Sequence, residues 1–156
     1  MSPRIQAWPV RLHHPSLRDF LLDPQRCCDP HFWVGEKRAH GAMANHCIQH
    51  MSEKLKRDVC GLNVPGAQIA NVPPDRNKHC LTAELQYACQ YWVQHLQRSE
   101  TQLLDDEQVH VFLREHLLHW LEALSLMQKT SEGVLAITSL DSMIIVSQIC
   151  SSKFRK

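Results

Sequence analysis

Residues 81–98, LTAELQYACQYWVQHLQR, decide the fold of this chain. Apolar residues recur there at steps of three and four, which places them on one stripe of an α-helix. Thr82 is a suitable N-cap, and Glu84 falls in the first turn, where the helix dipole favours an anion. The stripe consists of Leu85, Ala88, Cys89, Trp92 and Leu96. Because a ring as large as Trp92 needs neighbouring helices to cover it, the stretch predicts a helical bundle.

A short helix and a loop are predicted near the amino terminus. Ser16 can cap this helix, and Asp19, three residues later, completes a short version of the capping box. Pro24 ends it, since the residue before a proline is pushed out of the α region. In the following loop we expect Phe32 and Trp33 to fold back on the core, because two exposed aromatic rings would be costly.

Three longer segments also have helical periodicity. The first covers residues 36–57, with a buried stripe of His40, Met43, Ala44, Cys47, Ile48, Met51 and Leu55. The second covers 106–127, where Asp105 and Gln108 form a capping box, and it fits one helix or two with a break. The third covers 131–150, and its β-branched run at 143–146 fits either a strand or a buried helix.

Length and charge limit the class of protein. With 156 residues and a formal charge of +1, the chain suits one domain and has no strong field to attract nucleic acid or an anionic membrane. No segment has the length and apolar character of a membrane span. Residues 1–10 lack the apolar core of a secretory signal. Seven cysteines, an odd number, therefore predict free thiols and a cytoplasmic location.

Few residues offer catalytic or metal chemistry. The chain has no glycine-rich phosphate loop, so we expect no nucleotide hydrolysis, no cofactor and no enzymatic activity. His46 and His50 lie one helical turn apart, but Cys47 between them points to the buried stripe, so we assign no metal site. His116, on an apolar face, is interpreted as a hydrogen-bonded core histidine. The alternative from another class is a small cytosolic protein that binds metal through its histidines and cysteines.

Several long motifs in the same order resemble fungal NACHT-type STAND NTPases. The first is HPSLRDFLLD at residues 14–23, in which Leu17 replaces the usual phenylalanine. The others are FWVGEKRAHGAMANHCIQHM, LKRDVCGLNVPGA, YACQYWVQHL, HVFLREHLLHWLEALSLM and SEGVLAITSLDS. Together they cover residues from about 10 to 142. The resemblance implies the end of a winged-helix domain followed by a helical domain, on the carboxyl-terminal side of an NTPase core.

On this basis we predict an all-α fold, an irregular multi-helix bundle with a short amino-terminal remnant of a winged-helix domain. The predicted divisions are 1–35 for that remnant and its loop, 36–142 for the helical domain and 143–156 for a divergent tail. The implied function is a non-enzymatic interaction or regulatory segment in nonself recognition and cell-death signalling. Neither the NTPase core nor the sensor repeats are present, so we expect a helical fragment, a shortened relative or a degenerate gene product.

The resemblance also implies partners and one functional residue. The partners are an NTPase core or sensor repeats of a STAND protein, and a second copy of the chain through Leu17, Phe20, Phe32 and Trp33. In related proteins a winged-helix histidine at this motif position contacts bound ADP, and His14 is the residue that matches. Its role is therefore nucleotide sensing, and only when an NTPase core is supplied.

Overall fold

A computed structural model describes residues 14–29, 31–62, 80–100 and 107–153; side chains of residue 107 and of 146–153 are outside this description. These ranges contain five α-helices and no strand, which confirms the all-α fold. Within them, no helix combines the length and apolar character needed to cross a bilayer. The helices are α1 (Pro15–Leu22), α2 (Glu36–Lys54), α3 (Ala83–Ser99), α4 (Glu107–Leu126) and α5 (Thr130–Lys153).

The predicted central helix is α3. Its N-cap is Thr82, whose hydroxyl accepts from the backbone N–H of Leu85, as expected. A backbone hydrogen bond of Glu84 and a second one from the Thr82 side chain lower the pKa of the Glu84 carboxyl. The stripe is buried as predicted and also includes Val93. Sequence periodicity therefore gave the right phase for this helix.

Three aromatic rings from α3 and α4 form the centre of the core. Trp92, Trp120 and Phe112 are among the largest fully buried side chains. The Trp92 ring meets Phe112 at 5.4 Å and Trp120 at 5.5 Å between centroids, both edge to face. The indole N–H of Trp120 donates to the carbonyl oxygen of Cys89 at 2.8 Å. The two helices are thus joined by packing and by a directed hydrogen bond.

Helix α5 packs closely on α4 after a short turn. Gln128 has φ of +59°, and the N–H of Lys129 donates to the Leu124 carbonyl oxygen at 2.8 Å, which ends α4. A Cβ atom at Gly133 would lie 2.8 Å from Cδ1 of Leu124, so only glycine permits this approach without a shift. The run at 143–146 lies inside α5, so the strand alternative is wrong and the run is helical, but it is not fully buried, since Ile145 is 48% exposed.

Helix boundaries differ from prediction in two places. Helix α2 ends at Lys54 rather than near residue 57, and Asp58 follows with a left-handed φ of +53°. Met43 was predicted to be buried, but it is 40% exposed. Helix α4 is one continuous helix, which settles the alternative of two. The predicted cap at Asp105 lies outside the described residues.

The expectation of free thiols is wrong for two cysteines. Cys60 and Cys80 form a disulfide across the connector between α2 and α3, with their Cα atoms 5.3 Å apart. Cys27, Cys28, Cys47 and Cys89 are free. Both bridged sulfurs belong to residues packed in or against the core, so the folded chain brings them together where sequence spacing did not indicate a pair.

Reducing this disulfide is expected to lower the free energy of unfolding by about 3 kcal/mol, the chain-entropy value for a loop of this size. The loop closes over a sequence separation of 20 residues. Urea unfolding with and without a reducing agent measures the change. Cys28→Ser, at an exposed free thiol, is the matched control and should respond to the reductant like the wild type. A Cys80→Ser variant as stable as the oxidised wild type would contradict the prediction.

The chain divides into two compact units, Met1–Glu36 and Lys37–Lys156. The core described above belongs to the second unit. In the first, the backbone N–H of Val34 donates to the carbonyl oxygen of Leu21 at 2.8 Å, and Arg18 pairs with Glu36 at 3.3 Å. The domain divisions predicted from sequence stay predictions, and α5 runs without a break across the one at 142–143.

Candidate functional site

His14 lies directly at the start of α1 and caps it. Its Nδ1 accepts from the backbone N–H of Ser16 at 3.1 Å and lies 2.7 Å from the Ser16 hydroxyl oxygen. The prediction that Ser16 is the N-cap is therefore wrong, because the helix begins at Pro15 and His14 precedes it. Since Nδ1 accepts this backbone hydrogen bond, the ring proton of a neutral His14 is on Nε2, which is left to donate elsewhere.

Four large apolar side chains of the first unit are exposed. We call Leu17, Phe20, Phe32 and Trp33 the amino-terminal apolar surface. Phe32 is 64% and Trp33 is 44% exposed, so the expectation that they fold back on the core is wrong. Leu17 and Phe20 lie one turn apart on α1, which has no buried residue. Exposed aromatic and aliphatic side chains grouped in one small unit are typical of interaction surfaces.

A second exposed apolar face lies along α5. Val134, Ile137 and Ile145 recur at helical spacing and are 64%, 41% and 48% exposed. The Thr138 hydroxyl between them donates back to the carbonyl oxygen of Val134, so this position presents little polarity outward. Asp141 is the one charged residue between positions 133 and 152. Exposed apolar side chains that recur along one helix are a candidate contact surface for another protein.

The cysteines and histidines considered from sequence do not form a metal or nucleophile cluster. In the described ranges no group of three or more histidine, cysteine or acidic side chains could hold a metal ion. His46 is exposed, whereas Cys47 is buried beside it. Burial raises the pKa of the Cys47 thiol. Burial, and to a smaller extent the electrostatic interaction with Cys47, raises the pKa of the Cys89 thiol to about 12. Both thiols are therefore protonated at neutral pH and poor nucleophiles.

His116 is half-buried and stacks on Phe112 with ring centroids 5.7 Å apart. Its Nδ1 is buried and has no hydrogen-bond partner among the described residues. The sequence interpretation of a core position fits this placement, but the predicted hydrogen bond is not present at that atom. Stacking on the Phe112 ring helps to position the imidazole.

The structure joins three polar residues that sequence reasoning did not connect. Nδ1 of His40 on α2 lies 2.8 Å from Nδ1 of His95 on α3. Nε2 of His95 lies 2.7 Å from the hydroxyl oxygen of Tyr87, two turns earlier on the same helix. The eight-residue spacing of Tyr87 and His95 is visible in the sequence. The partner on α2 could not be found without knowing which faces of the helices meet.

The fold and these surfaces define a helical segment with large exposed apolar faces. Over 159 aligned residues the chain is 43% identical to the vegetative incompatibility protein HET-E-1 of Podospora anserina. The alignment covers 90% of this chain and 12% of that protein. It confirms the family relationship that the motifs predict: the chain belongs to the family of this fungal protein and matches one segment of it. No family model matches the chain, and neither does any solved structure.

Proposed function

We propose that this chain is a non-enzymatic interaction and regulatory segment of a STAND-type signalling protein, acting in the cytoplasm in fungal nonself recognition and cell-death signalling. The observation that carries the proposal is its 43% identity to a segment of a vegetative incompatibility protein. Because the aligned region is 12% of that relative, we expect its surfaces to contact other protein domains. The partners are an NTPase core, sensor repeats or a second copy of the chain.

The exposed apolar faces support a role in protein association. The amino-terminal apolar surface and the α5 face both present large side chains to solvent. Burial of such groups contributes roughly 25 cal/mol per Å² of apolar area, which favours a protein partner over water. The formal charge of +1 gives little electrostatic repulsion between copies of the chain.

The isolated chain is expected to self-associate through the amino-terminal apolar surface. Sedimentation velocity from low to high micromolar concentration should show a shift from monomer to larger species. Replacing Phe32 and Trp33 together by serine should move this shift to higher concentration, since their aromatic area no longer leaves water on association. A wild-type chain that stays monomeric at high micromolar concentration would refute this part of the proposal.

Met43→Ser is the matched control for this experiment. Met43 is an exposed apolar residue of α2, outside the amino-terminal apolar surface. Its replacement removes one exposed apolar side chain outside that surface and should leave association unchanged. An equal effect from Met43→Ser would show that association follows general surface apolarity and not the proposed surface.

His14 is proposed to sense nucleotide only when an NTPase core is present. Its Nδ1 accepts from the Ser16 N–H, which fixes the ring and leaves Nε2–H as a donor. A phosphate oxygen of ADP is a suitable acceptor for this N–H donor. The lone chain has no phosphate loop, so most of the affinity would come from the core.

Calorimetry should detect no ADP binding to the 156-residue chain alone. When the chain is fused to a cognate NTPase core, His14→Ala should weaken ADP retention, because the proposed donor is removed. His13→Ala, one position earlier, is the control and should leave retention unchanged. Tight ADP binding by the lone chain, or a stronger effect from His13→Ala, would refute the role of His14.

A further inference from the structure

The contact between His40 and His95 can hold only one proton. At 2.8 Å between the two Nδ1 atoms, one nitrogen must donate and the other must accept. If both rings were cationic, each Nδ1 would carry a proton and both protons would occupy the same gap. The contact therefore tolerates a neutral pair or a single charge, but not two charges.

The surroundings of the pair strengthen this limit. The contact is partly buried between α2 and α3, with ring centroids 5.1 Å apart. Burial is the largest cause that lowers the pKa of His95. Electrostatic interactions with His40 and then with Arg98 lower it further. The Tyr87 hydroxyl can donate to Nε2 of His95 or accept from it, depending on the tautomer of His95. It therefore provides a hydrogen-bond partner for Nε2 in both tautomers and does not determine which histidine donates at Nδ1.

Several other charged and titratable groups interact with residues of α2 and α3. Lys37, in the first turn of α2, forms an ion pair with Glu100, which directly follows α3. Burial, then Cys47 and then Tyr91 raise the pKa of the Tyr87 hydroxyl. Tyr91 in turn interacts electrostatically with Lys129. Of these groups only Glu100 is a carboxylate, and it is paired with Lys37.

Helices α2 and α3 approach closely at this level. A Cβ at Gly41 would lie 3.6 Å from Cβ of Ser99, an ordinary van der Waals distance, so the two helices are in contact beside the histidines. Relief of a doubly charged pair therefore requires movement of the helices or rotation of a ring out of the contact. Either change weakens the side of the bundle where α2 covers α3.

We propose that His40 and His95 form an acid-sensitive latch between α2 and α3, closed while the pair binds at most one proton and opened by the second. The proposal concerns this helical unit and does not depend on its role in incompatibility. A histidine whose folded pKa is lowered binds its proton more readily in the unfolded chain. The contribution of this histidine to the free energy of unfolding is therefore fully present above the ordinary histidine pKa of about 6.5. It is lost as pH falls below that value.

The test is urea unfolding of the full chain at a series of pH values from about 7.5 down to about 5, on either side of the ordinary histidine pKa. The slope of the free energy of unfolding against pH gives the number of protons taken up. Wild-type unfolding should take up about one more proton below pH 6.5 than His95→Asn or His40→Asn unfolding. Asparagine keeps a polar atom near the position of Nδ1 but does not titrate.

His46→Asn is the matched control, because His46 is an exposed histidine on the same helix as His40. It should keep the wild-type slope, and the His40→Asn, His95→Asn double variant should show no further loss beyond either single change. The proposal is overturned if the single variants keep the wild-type slope, or if their effects simply add.

A second measurement covers the case in which the asparagine variants do not fold. Imidazole NMR titration of the wild type should show that the pair takes up its two protons in separated steps, the lower accompanied by changes in α2 and α3 signals. Independent titration of both rings at an ordinary pKa, with no change in the helices, would overturn the latch.

Discussion

Replacing Trp92 with alanine is expected to lower the free energy of unfolding by about 3–5 kcal/mol, as for other fully buried tryptophans. The side chain is completely buried and lies edge to face against Phe112 and Trp120. Its Nε1 is buried without a hydrogen-bond partner in the part of the chain that the structure describes. The loss is therefore one of packing and apolar burial, and urea unfolding would measure it.

Gln94→Ala is the control for this variant. Gln94 is two residues away on α3 and is exposed, so its replacement should change stability by no more than about 0.5 kcal/mol. An equal loss from Gln94→Ala would mean that the buried face of α3 has been assigned to the wrong side. A loss of under about 1 kcal/mol from Trp92→Ala would mean that the ring is not at the centre of the core.

The core around α3 could be predicted because its apolar residues follow one clear helical stripe with polar residues opposite. The same rule failed at Met43, which continues the periodicity of α2 but lies beyond the edge of its buried face. Helix α5 is apolar on several sides, so periodicity alone could not decide between strand and helix at 143–146. The structure shows that the run continues α5, which begins at Thr130 and packs against α4.

Caps and long-range pairs were less predictable. Histidine is not among the usual N-cap residues, so Ser16 was the natural choice, although His14 makes the hydrogen bond. Cys60 and Cys80 flank a connector, and an odd cysteine count gave no reason to pair them. His40 and His95 are 55 residues apart, and only the way α2 lies against α3 brings their nitrogens together. These features depend on tertiary contacts that a single sequence does not encode locally.

Trp120→Ala should also lower the free energy of unfolding by about 3–5 kcal/mol, because this side chain too is fully buried. Unlike Trp92, it also makes a hydrogen bond: its indole N–H donates to the carbonyl oxygen of Cys89 at 2.8 Å. Trp120 thus stabilises the contact between α4 and α3 in two ways. Alanine removes both, while phenylalanine keeps most of the ring volume and removes the hydrogen bond.

The two phenylalanine variants form a matched pair that isolates this bond. Trp120→Phe should be the more destabilising by roughly 0.5–1.5 kcal/mol, the usual net value of one hydrogen bond. Trp92→Phe removes a buried N–H that has no partner among the described residues, which partly offsets its lost volume. Urea unfolding of both variants gives the comparison. If Trp120→Phe is no more destabilising than Trp92→Phe, the bond to Cys89 adds nothing to the packing between α4 and α3.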